Sequence, residues 1–145
     1  MLYLDTCVLL AVLTPETHSE VATQALAEST TSPAISPWTT TELHSALGLK
    51  VRTGALTHAQ ADAVLQTYQQ SLVPALVMLE IEARDFHHAD ACLRTWPPGL
   101  RAAEALHLAI AAGRGATLYS LDAGFVAAAH GLGLPARLLS ATAGT

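Results

Sequence analysis

Charge is what this chain has least of. Asp, Glu, Lys and Arg make up 13% of its 145 residues, about half of the ~25% usual in a globular domain. Basic residues are the scarcer sign, 7 Lys+Arg against 12 Asp+Glu, and Lys50 is the single lysine. A formal charge of −5 argues against a broad basic face for nucleic acid. Few charges beside 51% apolar residues and a mean hydropathy of +0.36 exclude a disordered chain, which needs the opposite balance. Two cysteines, Cys7 and Cys92, make neither a disulfide framework nor a zinc site, so a reducing compartment is expected. Long apolar runs are missing too: Cys7 to Leu13 and Ala75 to Leu79 fall far short of the ~18 residues that span a membrane. The start Met1-Leu-Tyr-Leu-Asp5 lacks the basic segment of a signal peptide. A cytoplasmic protein without a membrane partner is expected, with one domain over residues 1–140 and a short mobile tail at 141–145.

What is present alternates. Met1 to Leu4 is a short apolar run that meets Asp5-Thr6 and a helix to Leu13, stopped before Pro15. Ser19 to Ala27 carries Val21, Ala22, Ala25 and Leu26 on one helical face. Ala34-Ile35-Ser36 reads as a buried strand, Pro37 opens a helix to about Arg52, and Thr57 caps another over about Ala59 to Leu72. Leu76 to Leu79 is a third strand and Ala83 to Arg94 a helix. Arg101 to Gly113 is a helix apolar nearly all round, which belongs in an interior. Thr117 to Leu121, Ala123 to His130 and Pro135 to Leu139 repeat strand, helix, strand. Such alternation predicts a three-layer α/β/α fold around a mostly parallel sheet of four to five strands. Right-handed crossovers then bring all strand C-termini to one edge.

Four acids bear on that edge: Asp5, Glu42, Glu104 and Asp122. Each has a structural explanation as a helix cap. Asp5 and Asp122 precede helices, Thr39-x-x-Glu42 matches a capping box, and Glu104 suits the first turn after Pro97-Pro98-Gly99. Three of them, however, stand where a strand hands over to a helix, the crevice in which open parallel sheets bind ligands. Glu104 sits in an otherwise apolar stretch, where an ionised carboxylate is costly unless paired. With Lys and Arg scarce, a cation from solution is the expected partner. Converging carboxylates repel and raise one another's pKa, and oxygen-only ligation suits Mg2+ or Mn2+ over zinc.

Leu4-Asp5-Thr6-Cys7-Val8-Leu9, the Thr-x-x-Glu segment ending at Glu42, Arg101-Ala-Ala-Glu104-Ala-Leu-His107-Leu-Ala and Ser120-Leu-Asp122-Ala-Gly-Phe125 resemble, in order, the four motifs of PIN domains. The resemblance covers nearly the whole chain and is greatest to VapC-like ribonuclease toxins of bacterial toxin–antitoxin pairs. It implies a metal-dependent endoribonuclease whose carboxylates hold one or two Mg2+ or Mn2+ ions that activate water against an RNA phosphodiester. It implies Asp5 and Glu104 as core ligands, Asp122 as a further one, and Glu42 as a ligand or a water-orienting group. Thr6, Arg101 and Ser120 are supporting residues. Arg101 is placed to meet a phosphate or pair an acid, with a plain surface arginine as the alternative. Two features depart from the family: Glu104 stands where Asp is usual, and Cys7 where Ser or Thr is common, as a small buried residue and not a nucleophile. A small antitoxin partner and a homodimer or a larger assembly with antitoxin are implied as well.

Other residues point elsewhere. Seven histidines include no His-Glu-x-x-His, and His107 reads as a core or supporting histidine. Trp38 and Trp96 lie beside prolines at element ends and are expected to pack in the core. The alternatives are a PIN-family RNA-processing nuclease outside a toxin pair, a PIN module that binds RNA or protein without cutting, and a receiver-like phosphotransfer fold. The last expects paired acids at the first strand and a late lysine, neither of which is present.

Overall fold

Five short apolar runs become one parallel sheet because each is returned to the same edge by a helix. The computed structural model describes residues 1–140; the tail expected at 141–145 lies outside them. Strand β1 (Leu2–Leu4) is followed by α1 (Thr6–Leu13) and α2 (Ser19–Ala27), β2 (Ala34–Ile35) by α3 (Pro37–Arg52) and α4 (His58–Thr67), and β3 (Val77–Met78) by α5 (Ala83–Leu93) and α6 (Ala102–Gly113). β4 (Thr117–Ser120), α7 (Ala123–Gly131) and β5 (Ala136–Leu138) complete the described chain. The sheet order is β3-β2-β1-β4-β5 with every pairing parallel, as the alternation predicts.

Alternation along β1 separates two cores. Leu4 packs with Val8, Leu9, Leu43, Leu47 and Tyr68 from α1, α3 and the turn after α4. Tyr3 points the other way, among Leu106, Leu108 and Ile110 of α6, Leu118 of β4 and Phe125 of α7. The central register fixes this: Tyr3 lies between Ala34 of β2 and Leu118 of β4. The order also sets the fold apart from receivers, which run 2-1-3-4-5. Growth from β1 proceeds through β2 to β3 and then resumes on the opposite side with β4. The strand order therefore reverses between β1 and β4, and a crevice opens there at the carboxyl ends.

Three local expectations are corrected. The helix after Thr57 does not run regularly to Leu72: it ends at Thr67, followed by a π turn over Tyr68–Leu72 and a 3-10 turn over Val73–Ala75. Pro74 removes a backbone donor and disfavours helix before it, while Tyr68 is buried and its hydroxyl lies 2.6 Å from Thr40 Oγ1. β3 is a two-residue edge strand with both side chains exposed, since β2 alone pairs with it. Trp96 is 87% exposed at φ +53, not packed in the core. The chain leaving α5 turns through a left-handed residue here, with Trp96 N–H on Leu93 O at 3.0 Å, and that turn carries the ring outward. Trp38 does pack as expected, its indole N–H donating to Ala103 O at 3.3 Å.

One buried ion pair ties the first turn of α5 to the C-terminal end of α6. Asp85, 1% exposed, accepts Glu82 N–H at 2.8 Å and pairs with the Arg114 guanidinium. Burial pushes the Asp85 carboxyl up, but the hydrogen bond and charge of Arg114 and the Glu82 amide outweigh it and hold it below its ordinary value. A depressed carboxyl adds stability that is complete above its unfolded pKa, about 3.9, and is lost as pH falls through the folded value. In urea titrations at pH 7, Arg114→Ala is expected to lose about 3 kcal/mol, since it strands a buried charge. The stability gap between wild type and Asp85→Asn is expected to narrow as pH drops below about 4.

Candidate metal centre

The crevice between β1 and β4 receives its side chains from the residues that follow the strands. Asp5 comes directly after β1, its backbone N–H on Tyr119 O of β4 at 3.0 Å. It stands at the N-cap of α1 yet caps nothing with its side chain. Instead Oδ2 accepts Ser120 Oγ–H at 2.6 Å and the Cys7 thiol at 3.0 Å, which leaves Oδ1 turned towards His107 Nε2, 3.9 Å away. Glu42 is likewise released from capping. Because α3 begins at Pro37, its capping box is formed by Ser36 and Thr39, and Glu42 lies more than a turn inside. Its Oε2 accepts Thr6 Oγ1–H at 2.8 Å and is in direct contact with His107 Nε2.

Burial pushes the Glu42 carboxyl up, but the hydrogen bond and charge of His107, the Thr6 hydroxyl and the charge of Arg101 bring it below its ordinary value. The rise expected from clustered carboxylates is thus reversed for Glu42, because donors stand between the acids. Asp5, Glu42 and His107 each offer one ligand atom, and these atoms all lie within 4.8 Å of one another. Two oxygens and one imidazole nitrogen in that space fit a single divalent cation.

Glu104 and Asp122 fall outside this trio. Asp122 caps α7, its Oδ1 accepting Phe125 N–H at 3.0 Å. Glu104 is buried at the third position of α6, and Arg101, one turn earlier, is its partner. Oε2 accepts the Arg101 backbone N–H at 2.9 Å, and Oε1 accepts Nε at 3.0 Å and Nη2 at 2.5 Å. The hydrogen bond and charge of Glu104 raise Arg101 above its ordinary value, with Asp122 and Asp5 adding to the same field. Arg101 thus stands within electrostatic reach of all four acids.

His107 is the residue whose position the sequence understated. It is 1% exposed, as a core histidine should be, yet Nε2 faces the acids while Nδ1 lies 2.8 Å from the Tyr3 hydroxyl. That hydroxyl lies 2.7 Å from Ser36 Oγ, and burial pushes it up to about 12. The available signal was Glu104-x-x-His107, a spacing that puts both residues on one helix face.

Across residues 2–131 the chain matches the family model of the PIN domain. The chain belongs to the PIN domain family. Among solved structures it is similar to FitAcB from Neisseria gonorrhoeae, 20% identical over 94% of this chain and 96% of that one, with a TM-score of 0.70. VapC20 of Mycobacterium tuberculosis, described as a sarcin-ricin loop cleaving toxin, is 18% identical over 88% of this chain and 95% of that one, TM-score 0.69. VapBC2 from Rickettsia felis, bound to a promoter DNA fragment, is 16% identical over 97% and 100%, TM-score 0.71. At these identities the likeness establishes the shared fold. A comparison with curated protein sequences finds no match.

Within this PIN domain Cys7 is a packing and hydrogen-bonding residue. Burial, then the negative charge of Asp5, push its thiol up to about 12, and Leu121 N–H donates to Sγ at 3.3 Å. A thiol so far above pH 8 presents almost no thiolate, the reactive form. In iodoacetamide labelling at pH 8, Cys7 of the folded protein is expected to react at least about tenfold more slowly than the same cysteine in urea. Equal rates would show that the thiol is not held as described.

Proposed function

We propose that this chain is a divalent-metal-dependent endoribonuclease and the toxin of a toxin–antitoxin pair. The observation that carries this is the meeting of Asp5, Glu42 and His107 within 4.8 Å at the reversal of strand order in a PIN domain. Mg2+ or Mn2+ is the proposed cofactor, held first by Asp5 and Glu42, with Asp122 and Glu104 as further acids at the rim. When bound, such an ion polarises the phosphodiester and acidifies water.

The chain's own residues prepare that chemistry. Ser120 and Cys7 fix Oδ2 of Asp5 and so aim Oδ1 into the crevice. Thr6 and His107 keep Glu42 ionised, able to hold a cation or to accept a hydrogen bond from the attacking water. Arg101, its side chain 77% exposed, offers N–H groups to a phosphate oxygen. RNA as substrate, an antitoxin chain as partner and assembly as a homodimer or with antitoxin follow by analogy with proteins of the same fold, among them the complexes FitAB and VapBC. No helix among the described residues is long and apolar enough to cross a membrane, in keeping with the proposed cytoplasmic site of action.

The engagement of both Glu104 oxygens by Arg101 favours a second possibility, a module that binds RNA without cutting it. Incubating purified protein with cellular RNA and mapping new 5′ ends decides between them. Cleavage is expected with Mn2+ or Mg2+, to stop with EDTA, and to fall by about 100-fold or more in Asp5→Asn. Asp5→Asn and Glu42→Gln variants that cut as fast as wild type would sink the nuclease assignment; RNA binding with no cleavage would leave the module. A short adjacent reading frame for a DNA-binding-type chain separates a toxin from an RNA-processing nuclease.

A further inference from the structure

We infer that His107 is itself a metal ligand, its Nε2 joining Asp5 and Glu42 so that the centre has mixed oxygen and nitrogen donors instead of carboxylates alone. The inference rests on the assignment of this crevice as a divalent-metal site. Three observations converge on it. Nε2 touches Glu42 Oε2 and lies 3.9 Å from Asp5 Oδ1, so one ion can reach all three atoms. The ring cannot turn away easily, since His107 is 1% exposed and tilted against the Tyr3 ring at 5.6 Å between centroids.

The third observation concerns the far side of the ring. A metal-ligating histidine donates its other N–H to an oxygen acceptor, which fixes the tautomer. Here the Tyr3 hydroxyl lies 2.8 Å from Nδ1. Tyr3 can accept that N–H because its own proton has somewhere to go, to Ser36 Oγ at 2.7 Å or Thr39 Oγ1 at 3.2 Å. With Nδ1–H held by Tyr3, the Nε2 lone pair becomes available to a cation that takes the place of the hydrogen bond between Nε2 and Glu42.

Glu104 explains why a nitrogen is needed at this place. It shares a face of α6 with His107, but its oxygens are occupied by the Arg101 backbone N–H, Nε and Nη2. The helix thus presents two potential donors, and the one aimed into the Asp5–Glu42 pair is His107. An imidazole in the donor set shifts preference from Mg2+ towards Mn2+ and later transition metals, because softer nitrogen donors favour those ions.

The experiment uses tag-free, full-length protein loaded with one equivalent of Mn2+. Pulsed electron paramagnetic resonance is expected to show 14N coupling from one directly bound imidazole, lost in His107→Gln. By titration calorimetry His107→Gln is expected to weaken Mn2+ binding by about tenfold or more and Mg2+ binding less, so that the Mn2+/Mg2+ preference shrinks. His87→Gln, at an exposed histidine of α5 away from the centre, is expected to leave Mn2+ affinity within about threefold. Bound Mn2+ without directly coordinated 14N in wild type would overturn the inference while leaving the nuclease assignment intact. That reading needs no variant, so a poorly folded His107→Gln does not weaken it. Failure of wild type to bind either ion at millimolar concentration would overturn both.

Discussion

Like charges brought together out of bulk water cost free energy unless donors stand between them, and Asp5 and Glu42 depend on such donors. They come from three separate parts of the chain. Ser120 closes β4, Thr6 opens α1 and His107 lies inside α6, and each contributes a proton or an imidazole to one of the two carboxylates. The arrangement needs the parallel sheet, because only there do the ends of β1 and β4 lie side by side. It also needs α3 and α6 to lean towards the same edge from the two faces, which Trp38 secures by donating to Ala103 O.

Much of this was legible from the residues in order. Proline and glycine punctuation with short apolar runs fixed the succession of strands and helices, since each signal acts within a few residues. Asp5 and Glu42 meet, as chain order and the edge rule for parallel sheets lead one to expect, while Glu104 and Asp122 stand outside the trio. What local signals do not carry is the rotation of each helix about its axis. Whether Glu104 or His107 faces Asp5 depends on how α6 settles on Tyr3 and Leu118, a contact across the whole fold. Trp96 departs from expectation for a related reason: its apolar ring suggests burial, but the turn leaving α5 dictates where the ring points.

The buried histidine and the capped glutamate illustrate one property of α6. A helix apolar nearly all round has few polar positions, and each must be satisfied internally. Glu104 meets this at its own N-terminus, where the amide and the guanidinium of Arg101 are adjacent in sequence. His107 meets it at long range, through Tyr3 on one side and the acids on the other. The local solution survives changes elsewhere in the fold, whereas the long-range one exists only when β1, α3 and α6 are all in place.

Arg101 is paired with an acid, and so are three of the six other cations. Arg114 binds Asp85, Lys50 binds Glu16 at 2.8 Å and Arg84 binds Glu82 at 2.7 Å, while Arg137 lies over the Tyr119 ring at 5.5 Å. Few positive groups remain to displace counterions from a polyanion, and the salt dependence of nucleic-acid affinity scales with their number. A protein built this way meets a polyanion with a shallow response to ionic strength, and its encounters depend on shape and on the crevice more than on long-range attraction.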